Sequence, residues 1–220
     1  MYQIQLQCKP VKEGTNIYYD VKTGMQIIKE TFDLDTGLIV IEVMKRLRGG
    51  PCMDLIDYQV ESGQLNIASC GVEARTIGNY VKEDISFVDF KRLVIVLLNA
   101  LVYVHSKSVA IGALTPETIF ITPNERVIFM DFSQSRLQDV AYTCIKSMPV
   151  DVYRSPESVY EPWMVSELSD VFSMGMILKR LIDTTHLTIQ FHYAEIIEKM
   201  TRVRMQDRPK LQDVLNWINT

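Results

Sequence analysis

Cysteine and histidine are scarce in this sequence, and neither is grouped. The four cysteines, Cys8, Cys52, Cys70 and Cys144, include no Cys-x-x-Cys pair. That spacing argues against a zinc site or disulfide frame and points to free thiols in a reducing compartment. Of the three histidines, His186 and His192 stand without an acid or nucleophile at useful spacing, and a lone helix-end histidine such as His105 is more often structural, so no catalytic histidine is expected. Long apolar runs are missing too. The N-terminus MYQIQLQCKP has no apolar leader, which argues against secretion. The most apolar stretch, residues 93–104, is interrupted by Asn99 and follows Lys91-Arg92. A membrane span needs roughly 20 apolar residues, so membrane insertion is not expected. Positive charge is short as well, with 23 Lys and Arg against 27 Asp and Glu. A net charge of −4 gives no support for nucleic acid as a partner, because phosphate binding leans on clustered cations.

What is present suits a globular chain: 47% hydrophobic and 23% charged residues argue against extended disorder. Its 220 residues suffice for one large domain or two small lobes sharing a core. Residues 2–32 read as three antiparallel strands. Tyr2-Gln3-Ile4-Gln5-Leu6 alternates with period two, and Asn16-Ile17-Tyr18-Tyr19 is rich in strand formers. Met25-Gln26-Ile27-Ile28-Lys29 follows a Lys22-Thr23-Gly24 turn. A helix through residues 38–47 ends at Gly49-Gly50-Pro51. A second hairpin is expected from residues 53–58 and 64–69, turning at Glu61-Ser62-Gly63. Helices are then expected over 76–82, 85–105, 194–201 and 211–217. No Pro/Ser-rich linker or repeat separates the parts, so the boundary near residue 72 is a hinge and not a tether.

Residues 97–136, LLNALVYVHSKSVAIGALTPETIFITPNERVIFMDFSQSR, organise the rest. They read as the end of a buried helix, a tight loop, and two short strands ending at Asp131-Phe132-Ser133. Downstream, in order, come Tyr153-Arg154-Ser155-Pro156-Glu157, Ser169-Asp170-Val171-Phe172-Ser173-Met174-Gly175 and Asp207-Arg208-Pro209. This succession resembles the core of a eukaryotic protein kinase, with its His-Arg-Asp-x-x-x-x-Asn loop, Asp-Phe-Gly turn and Ala-Pro-Glu segment. The resemblance implies an α+β, two-lobed protein-kinase-like fold. Residues 1–72 would form a small N-terminal antiparallel-sheet lobe, and residues 73–220 a larger, mainly helical C-terminal lobe. It implies that Asp170 anchors the catalytic-loop backbone, that Glu157 and Arg208 form a buried ion pair, and that His105 is a structural helix-end residue. It also implies an apolar spine of Met44, Leu55 or Ile56, Ile111 and Phe132, and a hinge at Cys70-Gly71-Val72 with small Ser69 at the gate of the deep pocket.

Against that frame the reactive groups are missing. His-Arg-Asp is replaced by Ile111-Gly112-Ala113, the lysine two positions on by Thr115, and the metal-binding asparagine by Thr118. Ala113 cannot accept a proton. Gly112 removes the arginine that would grip a phosphorylated activation segment, leaving Thr143 or Ser147 no docking site. The glycine-rich loop has become Lys9-Pro10-Val11-Lys12-Glu13-Gly14, unsuited to cradling phosphate. By counting, Lys29 takes the place of the phosphate-binding lysine. Val40 falls where its glutamate partner belongs, and Glu42 lies about 200° further round the helix. Asp131 remains, either as the family's magnesium ligand or as a turn-fixing residue. Ile27 and Phe120 add bulk where adenine would lie, so the slot is expected to be filled by the protein's own side chains. The insert before Tyr193 is short, reducing a substrate-docking platform.

The sequence is therefore identified as a degenerate member of the kinase family, a pseudokinase without phosphotransferase activity. Its expected work is binding another protein as scaffold, inhibitor or allosteric regulator, with an active protein kinase as a candidate partner. No catalytic residue, metal site or cofactor is expected, and the compartment is the cytoplasm, with the nucleus left open. The alternative is a nucleotide-sensing switch that binds ATP weakly through Lys29 and Asp131. An atypical transferase ranks last.

Overall fold

The computed structural model describes residues 4–6, 15–20, 25–81, 85–140, 151–185 and 191–219. The strand-forming sequences assemble one antiparallel sheet from β1 (Ile4–Leu6), β2 (Thr15–Asp20), β3 (Gln26–Asp33), β4 (Leu55–Glu61) and β5 (Gln64–Cys70). Their spatial order is β1-β2-β3-β5-β4. Between β4 and β5, Ser62 and Gly63 have φ of 51° and 77°. Positive φ at both central residues makes a hairpin turn whose twist matches that of the strands.

Strand β3 passes directly into α1 (Leu34–Arg46). The Asp33 carboxylate accepts the Thr36 backbone N–H at 3.1 Å and the Thr36 hydroxyl at 2.8 Å. Such a cap stabilises a helix by about 1 kcal/mol, and it starts α1 upstream of the stretch that periodicity alone marks. The helix sits close to the sheet at Gly37, where a Cβ would lie 2.5 Å from Leu65 Cδ2.

The rest of the chain is mainly helical: α2 (Ile77–Tyr80), α3 (Phe87–Ser106), α4 (Pro156–Tyr160), α5 (Glu167–Thr184), α6 (Phe191–Met200) and α7 (Leu211–Asn219). Two small antiparallel sheets brace it. One joins β6 (Arg75–Thr76), β8 (Ile119–Ile121) and β9 (Val127–Phe129); the other pairs β7 (Val109–Ala110) with β10 (Arg136–Leu137). Helix α3 carries the apolar run, with Leu97, Leu98, Leu101 and Val104 fully buried. A Ser86 hydroxyl that accepts the Asp89 N–H at 3.1 Å caps it.

One continuous apolar core joins the two parts, running from Ile28, Val40 and Ile67 through Leu97 to Met174 and Leu215. Met44, Ile111 and Phe132 belong to it, and Leu55 packs against it. Ile56 is 44% exposed, so Leu55 supplies the spine position left open between the two. Burial of Cys52 pushes its thiol pKa up to about 12, which makes it a packing residue that donates to the Leu47 carbonyl at 3.4 Å. Among the described residues no helix is long and apolar enough to cross a membrane. The turn at residues 22–24, the loop at residues 9–14, Cys8, Cys144, Thr143, Ser147 and His186 lie outside the described residues. The short insert before Tyr193 falls partly outside them too.

Candidate functional site

Asp170, at the start of α5, is completely buried. Its Oδ2 accepts the Ile111 N–H at 2.8 Å, and its Oδ1 accepts the Gly112 N–H at 2.8 Å. His105 Nε2, at the end of α3, lies 3.0 Å from Oδ2. A carboxylate that receives two backbone N–H groups holds a loop firmly, and His105 has the structural role expected of it. Gly112 has φ 76°, and a Cβ there would meet the Gln134 carbonyl oxygen at 2.7 Å and Val165 Cγ1 at 2.9 Å. The backbone after Phe132 packs into the space that a side chain would need, and Ser135 Oγ secures it by donating to the Ile111 carbonyl at 3.1 Å.

The loop continues through Ala113, whose methyl is half-buried and offers no proton acceptor. The Thr118 hydroxyl accepts the Thr115 N–H at 3.0 Å and lies 3.1 Å from the Ala113 carbonyl. Thr115 Oγ1 in turn accepts the Glu117 N–H at 3.3 Å. Both threonines brace their own loop. Asp131 has φ 58°, a left-handed conformation that Asp tolerates better than most residues. Its Oδ1 accepts the Ser133 hydroxyl at 2.5 Å and the Ser133 N–H at 3.3 Å, so it fixes its own turn. Burial holds the pKa of Arg154 below the ordinary guanidinium value, although the carboxylates of Asp151 and Asp131 favour its charged form.

An open cavity of about 530 Å³ lies between the sheet and this loop, which overturns the expectation of a filled slot. Its roof is Gln26, Ile28 and Glu30 of β3, with Met53 beside them. Val72 and Ala74 line the hinge side, and Phe120, Ile128 and Met130 form the floor, with Glu117, Thr118 and Asp131 at the edge. Phe120 is where the sequence placed it.

Lys29 is not at this cavity, which corrects its assignment as a phosphate-binding residue. Strand β3 pairs with β5 so that Ile28 opposes Ser69, Lys29 opposes Ala68 and Glu30 opposes Ile67. Opposed residues share a face of a sheet. Ser69 and Ile67 are 1% and 2% exposed and face the core. Ile28 and Glu30 therefore face inward with them, while Ile27 and Lys29 lie on the other face. The side chain that narrows the cavity is Ile28 and not Ile27, and the charge at its roof is a carboxylate. Counting missed Glu30 because Ile27-Ile28-Lys29-Glu30 has no alternation to tell one face from the other; matching β3 against the alternating strand Leu65-Asn66-Ile67-Ala68-Ser69 supplies the missing signal.

On α1, Val40 is 2% exposed and sits in the core, offering no carboxylate. Glu42 is turned away, accepting from Arg46 Nε at 3.0 Å, and Arg46 reaches Asp139 at 2.7 Å. In the helical part, Arg208 grips Glu157 with two hydrogen bonds of 2.7 Å. Ser169 Oγ donates to the same carboxylate at 2.8 Å. Burial alone would raise the Glu157 pKa, but the hydrogen bonds from Arg208, its own backbone, Ser155 and Ser169 outweigh it and hold the carboxyl below its ordinary value.

Comparison with known proteins extends the sequence resemblance. Human mitogen-activated protein kinase 4 is 28% identical over 128 residues, covering 54% of this chain and 22% of that protein. The rat protein of the same name is also 28% identical over 128 residues, covering 54% of this chain and 47% of that protein. The match thus spans less than half the length of either relative. The family model described as Protein kinase domain matches residues 28–217. That match takes in most of β3, all of β4 and β5 and nearly all of the helical part, and on that ground the chain belongs to the protein kinase domain family.

Proposed function

We propose that this member of the kinase family works without phosphotransfer, as a module that binds another protein. The observation that carries the reading is Glu30 on the roof of the cavity, together with a loop that has Ala113 in it and a Thr118 hydroxyl committed to its own backbone. Kinase catalysis requires a cation on the phosphates, a carboxylate to take the substrate proton and an amide to help hold magnesium. Removing a positioned base alone forfeits about 10²–10⁴ in rate.

Protein binding is supported by apolar side chains exposed away from the cavity. Tyr160 is 81% and Trp163 59% exposed, with exposed Val152 and Met164 near them in sequence. Trp and Tyr are the residue types that most often anchor protein interfaces. An active protein kinase as the partner is an analogy from the fold. Phosphotransfer is the competing reading, favoured by the open cavity, the retained Asp131 and the kinase names of the relatives. The nucleotide-sensing alternative loses its cation with Lys29 on the far face of β3.

Purified chain given Mg-ATP and a generic protein substrate is expected to transfer no phosphate above background. Transfer at a rate ordinary for kinases, abolished by Asp131→Ala, would overturn the reading. In cells, the paired change Tyr160→Ala and Trp163→Ala is expected to abolish recovery of specific partners. Exposed positions of this kind usually alter stability by no more than about 0.5 kcal/mol, so an unchanged melting curve should accompany the loss. Undiminished recovery would place the interface elsewhere.

A further inference from the structure

We propose that the outer edge of β4 takes up an extended segment of a partner protein as an added strand, and that this segment reads cation-apolar-x-apolar-cation. The inference adds a second surface to the protein-binding reading and does not depend on Trp163. Among the described strands, β4 is last in the order β1-β2-β3-β5-β4. A terminal strand has one row of backbone groups with no neighbouring strand. The Tyr58 N–H donates to the Asp57 carboxylate at 2.8 Å and so points away from β5. By the alternation of an antiparallel ladder, the Val60 N–H points the same way. A bulge between Leu55 and Asp57 confines regular pairing to residues 57–61.

The side chains of this stretch divide between two faces. Tyr58 opposes Ile67 and Val60 opposes Leu65, both buried, so Tyr58 and Val60 point to the side that α1 covers. The helix meets Leu65 at Gly37 and stops short of the edge, leaving Tyr58 and Val60 exposed. Leu34 and Leu38 of α1 are exposed too. With Lys45 they fall within about 40° of one another around the helix, and the Lys45 ammonium lies 5.4 Å from the centre of the Tyr58 ring. Helix and strand thus offer one apolar strip to alternate residues of an added strand. On the opposite face stand Asp57 and Glu61. Asp57 holds its neighbour's N–H, and Glu61 accepts the neutral Asn66 amide at 3.2 Å, so among the described residues neither is paired with a cation. Lys29, on the same face, stands two strands away across Ala68, about 10 Å by strand spacing. A cation opposite each carboxylate completes the cross-strand pairs. A second copy does not supply it. Pairing β4 with itself adds acid to acid on that face, and no two cations four residues apart in this chain enclose apolar residues in that pattern.

Three peptides test this in an NMR titration of the labelled chain: Gly-Lys-Val-Thr-Val-Lys-Gly; Gly-Lys-Lys-Thr-Val-Val-Gly, of the same composition without the alternation; and the first with both valines N-methylated, which removes its strand donors. The first is expected to bind, shifting the Tyr58 and Val60 amides and slowing their hydrogen exchange. The rearranged peptide should bind about fivefold or more weakly, and the methylated one about tenfold or more weakly. Asp57→Asn combined with Glu61→Gln should weaken the first peptide about three- to tenfold, the effect of two exposed ion pairs. Val60→Asn should weaken it about fivefold through lost apolar contact. All three positions are exposed, so the melting curve should not change. Unmoved Tyr58 and Val60 amides at millimolar peptide, equal binding of the rearranged or methylated peptide, or affinity that survives loss of both carboxylates would each overturn the proposal. So would protection of those two amides in a dimer of the chain without peptide. Phosphate transfer, or partner recovery undiminished by change at Trp163, would strike the functional reading and leave this edge untouched.

Discussion

Arg208→Ala is expected to lower stability by about 3–5 kcal/mol, the usual cost of stranding one member of a buried ion pair. For a domain of this size that corresponds to a fall in melting temperature of about 6–20 °C. The Arg208 side chain is fully buried. Besides the two bonds to Glu157, it donates to the carbonyls of Leu168, Arg202 and Val203 at 2.9, 2.8 and 3.1 Å. Alanine leaves the carboxylate and those carbonyls without their donor, so the loss should exceed that for Glu157→Gln, which keeps the shape and one acceptor. A denaturant titration in which Arg208→Ala costs under about 1 kcal/mol would mean that water replaces the guanidinium.

The same pair sets an acid limit. Because the folded Glu157 pKa is depressed, its stabilisation is fully present above the unfolded carboxyl pKa, about 4.3. It is lost as pH falls through the lower folded value. Melting temperature should therefore decline below about pH 4.3, and Glu157→Gln should flatten that part of the decline. An identical acid slope in the variant would remove Glu157 from the account.

Asp170→Ala is the second large effect. It takes away the acceptor for two buried backbone N–H groups, those of Ile111 and Gly112, and for His105. Each orphaned buried donor costs about 1–3 kcal/mol, so a loss of about 2–6 kcal/mol is expected. Asp170→Asn keeps one oxygen acceptor and should lose roughly half as much. Hydrogen exchange separates this from general weakening: the Ile111 and Gly112 amides should exchange faster than those in the middle of α3, even in the milder variant. Uniform acceleration would mean that Asp170 supports the whole helical part and not this loop in particular.

Residues distant along the chain were paired correctly from motif order alone. Glu157 with Arg208, and Asp170 with the Ile111-Gly112 backbone, meet as expected, because each partner comes inside a longer pattern. That Ala113 carries no carboxylate was equally legible, since no fold can add one to an alanine. The face of β3 was not. Two apolar residues followed by two charged ones satisfy either register, and a shift of one residue exchanges Lys29 for Glu30 at the cavity.

Family, α+β class and buried anchors were thus determined by sequence, through residue identities that hold their meaning wherever the backbone runs. Tertiary structure alone decided which charge the cavity sees and that the cavity is open. The first depends on pairing with β5, whose buried Ile67 and Ser69 choose the inward face. The second depends on how closely the sheet approaches Phe120 and Met130, a spacing set by packing among elements far apart in the chain.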